Sequence, residues 1–197
     1  MAFDLERWRQ VGGMFSDKEG LLLYQEVLAL PAPAQIIEIG CYQGRSTTAM
    51  LQACRDSAEQ GRKTVLSVDP FAGQGMQAMD STISEKNSGR EVVYANVNDM
   101  GLRDWYVGVD TITSDEWFSK TPVYEQFDMF FIDGLHPIVD QDMLRAWPLL
   151  RPGGIMICHD YHVYDQGYFW LRDLIDFAKL PGKHLAENTL LYKVIKS

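Results

Sequence analysis

At 197 residues, with 46% hydrophobic and 23% charged, the chain suits one domain with a sizeable core and little room for a second. A formal net charge of −9 and a sequence pI of about 4.8 argue against nucleic acid and anionic membrane as partners. Phosphate binding rewards a basic face, and no Lys/Arg cluster appears. Cys41, Cys54 and Cys158 form no CxxC pair, which argues against a disulfide framework or structural zinc and points to a reducing, cytoplasmic compartment. Residues 1–10 carry charges throughout and lack a signal-peptide core, and no apolar run approaches the roughly 20 residues that span a bilayer.

In chain order, apolar β-type runs alternate with amphipathic segments, the pattern of an α/β fold with a parallel sheet. Ser16-x-x-Glu19 is a capping box ahead of Leu21, Leu22, Tyr24, Val27 and Leu28, so a helix is expected that ends before Pro31. Residues 1–31 then form a helical cap on a single domain spanning 1–197. The first strand is expected over 35–40. Ser46 stands where it can cap a second helix reaching about residue 60, with Gly61 just past its end. A second strand follows over 64–69, then a polar excursion rich in Gly and Ser over 70–90. A helix is expected near 91–100 and a third strand within 105–113.

Residues 127–133, apolar but for Asp128 and the closing Asp133, read as a central parallel strand covered on both faces. Val139, Met143, Ala146, Trp147 and Leu150 share one helical face. Arg151-Pro152-Gly153-Gly154 is expected to turn the chain into a fifth strand over 155–158. Leu171, Leu174, Ile175 and Ala178 mark a last helix, and 189–195 alternates enough to be a final strand.

The strongest motif is Glu38-Ile39-Gly40-Cys41-Tyr42-Gln43-Gly44-Arg45-Ser46, where the first strand ends. A strand, a glycine turn and a helix N-terminus together present backbone N–H groups to a ligand. A dinucleotide fingerprint needs glycine two positions after Gly40, but Tyr42 stands there. That leaves no bare backbone for a pyrophosphate. Glu38 makes the site acidic, which suits S-adenosylmethionine, with its ammonium and sulfonium. Asp69, at the end of the second strand, can accept both hydroxyls of an adenosine ribose, although an Asp before Pro is also a turn former. Asp133, His136, His159 and Asp160 follow the ends of the fourth and fifth strands, where ligands of open α/β sheets bind. Such a group can hold a divalent ion or move a proton. Two aspartates suit Mg²⁺ or Ca²⁺; an added histidine shifts the preference toward Mn²⁺, Fe²⁺ or Zn²⁺. The plainer alternative is that Asp133 opens a turn and His136 caps the helix after it.

Together these motifs resemble class I S-adenosylmethionine-dependent methyltransferases of the catechol O-methyltransferase-like branch, and especially methyltransferase family 24. The resemblance runs from Ser16 to about Tyr161, and also takes in Asn96, Gly101, Ser114-Asp115-Glu116, Ile132-Asp133-Gly134-x-His136 and Leu150 to Gly154. It implies a Rossmann-like three-layer sandwich with a seven-stranded, mostly parallel sheet of order 3-2-1-4-5-7-6, the last strand antiparallel. Glu38, Gly40, Tyr42, Gly44 and Ser46 would then cradle the methionine part, with Asp133 nearby. Asp69 would hold the ribose and Ser114 the adenine edge. Asp133, His159 and Asp160 would bind a divalent metal such as Mg, Mn or Ca, with His159 standing where many metal-dependent relatives have Asp. His136 falls where catechol-type enzymes place a general base.

The expected activity is O-methylation of a small hydroxylated molecule, a sugar or phenol. Two rivals remain open: a non-catalytic S-adenosylmethionine- or S-adenosylhomocysteine-binding module acting through a partner, and an NAD-dependent oxidoreductase. Residues 161–170, dense in aromatic and polar groups, are expected to face the acceptor. The 70–90 excursion reads as a lid or as the contact of a homodimer.

Overall fold

The computed structural model describes residues 2–71, 89–124, 126–134, 139–160, 182–185 and 191–196. Its seven strands are β1 (Ala34–Ile39), β2 (Lys63–Val68), β3 (Tyr106–Asp110), β4 (Phe127–Ile132), β5 (Leu150–Cys158), β6 (Gly182–His184) and β7 (Tyr192–Ile195). They form one sheet of order β3-β2-β1-β4-β5-β7-β6, in which β3 through β5 run parallel and β7 is antiparallel to both its neighbours. This is the expected Rossmann-like α/β sheet. The helices are α1 (Leu5–Trp8), α2 (Asp17–Ala29), α3 (Arg45–Asp56), α4 (Arg90–Asp99), α5 (Ser114–Lys120) and α6 (Val139–Ala146). No helix among the described residues is long and apolar enough to cross a membrane.

The apolar run Met129–Ile132 of β4 is explained by two cores. Met129 and Phe131 pack into one with α2 and α3 residues such as Leu23, Val27 and Met50. Phe130 and Ile132 pack into the other with Trp117, Phe118 and Met143. Successive side chains of a strand point to opposite faces, so a stretch buried on both sides, as Met129–Ile132 is, must be apolar at successive positions. Each such side chain contributes roughly 1.5–3 kcal/mol when fully buried.

Two local expectations are corrected. Ser46 does not cap α3; the N-cap is Gly44, at φ 85°, and Ser46 is the second residue of the helix. Residues 151–154 do not precede β5 but lie within it. The ladder pairs Phe127 with Leu150 and then Met129 with Ile155, so the glycine stretch bulges out of register. Gly153, at φ 78°, donates to the Lys196 carbonyl at 2.8 Å, which ties the bulge to the end of β7. The three-residue β6 carries no apolar alternation and escaped the reading of the residues. The expected last helix near 171–178 and most of the 70–90 excursion lie outside the described residues.

The N-terminal segment is fastened to α3 and to β2 by polar contacts. The fully buried Trp8 donates from Nε1 to the Arg45 carbonyl at 2.8 Å, and the Arg45 guanidinium lies 4.2 Å above the Trp8 ring. The Lys63 ammonium, from the start of β2, donates to the carbonyls of Val27 (3.0 Å) and Leu28 (2.9 Å). A cation at a helix C-terminus satisfies carbonyls the helix leaves free and complements its dipole. Burial pulls the Lys63 pKa down.

Gly20 of α2 lies beneath Trp8, and a Cβ there would stand 2.4 Å from the indole Cη2. Alanine normally gains up to about 1 kcal/mol over glycine inside a helix. Here the fixed indole reverses the sign. Gly20→Ala is expected to destabilise the fold by about 1–3 kcal/mol in urea denaturation, as overpacking does.

Candidate active site

Parallel register brings the strand exits to one edge. Ile39 pairs with Val68 and with Ile132, and Ile132 pairs with Cys158. The next residues, Gly40, Asp69, Asp133 and His159, therefore stand side by side. Each extends its ladder by one bond: Gly40 N to Val68 O (2.9 Å), Asp69 N to Asp110 O (3.1 Å), Asp133 N to Ile39 O (2.8 Å) and His159 N to Ile132 O (3.0 Å). The strand order reverses between β1 and β4, the place where open α/β sheets bind ligands.

Gly40 has φ 85°, and a Cβ on it would lie 2.2 Å from the Asp133 carbonyl oxygen. Only glycine lets these backbones meet. Tyr42 (φ 48°) and Gly44 (φ 85°) complete a turn in left-handed backbone. Asp69 clasps it. Its Oδ2 accepts from the N–H groups of Cys41 (2.9 Å) and Tyr42 (2.8 Å), and its Oδ1 from Phe71 N–H (2.7 Å). An ionised carboxylate offers about four acceptor sites, so Oδ1 retains capacity for a further donor.

Glu38 lies deeper. Its carboxylate is fully buried and accepts from the hydroxyls of Ser46, Thr47 and Ser67, each at 2.6 Å. Burial pushes its pKa up to about 7, against the three hydroxyls that favour the charge and with a smaller push from Asp133. Glu38 thus braces the turn from below, and Ser46 is one of its donors. Thr47 and Ser67 were not singled out in the sequence; their hydroxyls meet Glu38 only once α3 and β2 pack on β1.

Ser114 opens α5 just beyond β3. Its Oγ is buried with no hydrogen-bond partner among the described residues. A buried hydroxyl without a partner is costly and suits a site that a ligand completes.

At the other end of the edge, His159 Nδ1 lies 3.1 Å from Oδ1 of Asp133 and 3.1 Å from Oδ1 of Asp160. The three ligand atoms lie within 4.8 Å of one another. Asp160 sits at φ 61°, a left-handed turn that brings its carboxylate back over the strand end. Two carboxylates and an imidazole converging from adjacent strands fit a divalent ion, and the nitrogen donor favours Mn²⁺, Fe²⁺ or Zn²⁺. Burial disfavours a charged His159, but Asp133, Asp160 and Glu19 outweigh it and raise its pKa well above the usual value. Proton and metal therefore compete for Nδ1. Glu19 and Phe15, whose ring lies 4.9 Å from the imidazole, also belong to this corner. Sequence reading took Glu19 only as a helix cap. His136 and residues 161–170 lie outside the described residues.

An open sheet of this order, with a glycine turn after β1, an acid after β2 and an acid/imidazole group after β4 and β5, defines the methyltransferase form of the Rossmann-like fold. The chain matches the family 24 methyltransferase domain over residues 37–161, more than half its length, and belongs to that family. Solved structures share the fold. An O-methyltransferase from Bacillus cereus in complex with S-adenosylhomocysteine is 20% identical, with a TM-score of 0.68 over 98% of this chain and 90% of that one. The S-adenosylhomocysteine-bound methyltransferase PaMTH1 of Podospora anserina is 16% identical, with a TM-score of 0.66 over 99% and 88%. The O-methyltransferase TomG of Streptomyces achromogenes, involved in tomaymycin synthesis and complexed with S-adenosylmethionine, is 14% identical, with a TM-score of 0.64 over 93% and 82%. No curated protein sequence matches the chain.

The buried Glu38 gives a pH signature. Its pKa rises from 4.5 unfolded to about 7 folded, so between these values the native state holds more protons than the unfolded chain. Stability from this group is therefore greatest below pH 4.5 and falls as pH rises to about 7, by on the order of 3 kcal/mol. Glu38→Gln has no such titration. The stability of E38Q relative to wild type is expected to rise between pH 4.5 and pH 7.5, measured by urea denaturation at each pH.

Proposed function

We propose that this protein is an S-adenosylmethionine-dependent O-methyltransferase acting on a small hydroxylated acceptor, a sugar or phenol, with a divalent ion at the acceptor end of the site. One observation carries the reading: the Gly40 turn and the Asp133 backbone are in contact. A cofactor cradle and an acid/imidazole cluster are thereby contiguous on one sheet edge. Two of the solved structures that share the fold are O-methyltransferases, which agrees with an oxygen acceptor.

In this reading the turn from Gly40 through Tyr42 to Gly44 holds the methionine end, braced by Glu38 and Ser46. Asp69 accepts from one ribose hydroxyl with the lone pair left on Oδ1, and the Ser114 hydroxyl, without a partner among the described residues, meets the adenine edge. S-adenosylmethionine supplies a methyl group on a cationic sulfonium, and the transfer is an in-line displacement. Holding the acceptor in line removes much of the entropic barrier. Asp133, His159 and Asp160 would hold the ion, which would supply Lewis-acid activation of an acceptor hydroxyl placed beside it. His136, three residues beyond Asp133, is the proposed proton acceptor, with an unperturbed pKa near 6.5.

Calorimetry tests the cofactor half. Wild type is expected to bind S-adenosylmethionine and S-adenosylhomocysteine but not NAD, and Asp69→Asn to weaken both by about tenfold or more, the loss of one charged hydrogen bond. Tight NAD binding would overturn the reading. For the ion, chelator-treated enzyme is expected to lose turnover on a panel of sugars and phenols and to regain it with Mn²⁺ or Mg²⁺. If chelated enzyme, or Asp160→Ala, keeps full turnover, the metal role is wrong.

A further inference from the structure

One side chain joins the N-terminal cap to the acid/imidazole cluster. Glu19, the third residue of α2, uses Oε2 in the capping box, accepting from Ser16 N–H at 3.0 Å and Ser16 Oγ at 2.7 Å. Its other oxygen, Oε1, faces Nε2 of His159 at 3.5 Å. Both residues are buried, Glu19 at 5% exposure and His159 at 9%. Phe15 covers the imidazole with its ring tilted 40° to it. On the far side of the imidazole, Nδ1 faces Asp133 and Asp160.

We propose that Glu19 is a positioning residue: it holds the Nε2 proton of His159, so that Nδ1 is the nitrogen presented to Asp133, Asp160 and the ion between them. The partner of one imidazole nitrogen decides what the other can do. A lone pair on Nε2 would point at a carboxylate oxygen in a buried corner, a repulsive arrangement. A proton there turns the same contact into a charge-assisted one. Nε2 makes no geometrically complete hydrogen bond among the described residues, so the Glu19 carboxylate is the acceptor nearest to closing one. Nδ1, between two aspartates, takes either a proton or an ion, while Nε2 keeps its proton in both cases. Carboxylate–imidazole–metal relays of this kind fix ring orientation and basicity. The half of the proposal that concerns the ion rests on the metal reading above; the hold on Nε2–H does not.

Neither partner is near the other in sequence. Glu19 lies at the first turn of the cap helix and His159 at the end of β5, so the contact also couples seating of the cap to the geometry of the cluster. Glutamine keeps the capping box, since Gln also serves at its third position, but removes the charge facing Nε2.

The test is ¹⁵N NMR of histidine-labelled full-length protein. Signals are assigned by loss in His159→Gln, and long-range ¹H–¹⁵N correlations report which ring nitrogen is protonated. Wild type is expected to keep Nε2 protonated with and without Zn²⁺, the probe ion, with Nδ1 the nitrogen whose shift responds to Zn²⁺. Glu19→Gln is expected to populate the Nδ1–H form and to weaken Zn²⁺ binding by about 10–100-fold in calorimetry. Ser16→Ala, which cuts the cap and keeps the carboxylate, should leave the tautomer as in wild type. An Nδ1–H tautomer in wild type overturns the proposal even if the Glu19 variant fails to fold. So does an unchanged tautomer in E19Q, or an equal change in S16A. If wild type binds no Zn²⁺ yet loses its Nε2 proton in E19Q, the metal reading falls and the positioning role stands.

Discussion

Gly40 and Asp133 meet backbone to backbone at the exits of β1 and β4, with no space for a Cβ between them. That contact sits at the reversal of strand order, and most of the site is arranged around it. It forces the chain leaving β1 into left-handed backbone, which produces the turn through Tyr42 and Gly44 and starts α3 on a glycine without a side-chain cap. The turn in turn exposes N–H groups that Asp69 gathers from the neighbouring strand. On the other side it sets Asp133 beside His159. A larger residue at position 40 would separate the two halves of the site rather than merely loosen one of them.

Charge in this corner is distributed unevenly, and burial explains how it is tolerated. Glu38, Glu19 and His159 are all buried ionisable groups. An isolated buried charge is costly, so each must find donors, acceptors or an opposite charge. Glu38 has three hydroxyls, Glu19 has the Ser16 donors, and His159 has carboxylates on both sides. Among the described residues His159 is the basic side chain set between these acids, and the surrounding carboxylates favour a proton or a divalent ion beside it. The N-terminal cap takes part directly, because its first full helix supplies one of these acids and Phe15 supplies the apolar cover.

Much of the site was legible because its signals are local. The glycine spacing with Tyr42 at the middle position, the acid closing β2, Asp133 closing β4 and the His159-Asp160 pair closing β5 each sit where an apolar run ends. Parallel strands then bring those ends together without any further information. What was not legible depends on partners far apart in the chain. Glu19 reads as a capping residue and is one, yet its second oxygen meets a residue at the opposite end of the domain. Ser46 looks like a helix cap by residue type, but the turn before it had already been fixed by Gly44, which left its hydroxyl for Glu38. The glycine run at 151–154 looks like a turn, and β7 holds it inside β5 through Lys196.

The residues alone determined the class of fold, the edge of the sheet that carries the chemistry and the kind of cofactor that suits it. Hydrophobic period, glycine spacing and strand-end acids are properties of short segments, and short segments can be read one at a time. Tertiary structure decided how those groups are used. It buried Glu38 beneath three hydroxyls, turned Asp69 into the clasp of the glycine turn and placed His159 between the aspartates and a glutamate of the cap. Those outcomes depend on which side chains remain when helices and strands close on each other, and no local pattern encodes that. The glycine turn is therefore read from the sequence as a ligand loop, and from the structure as a loop held open by acids on three sides.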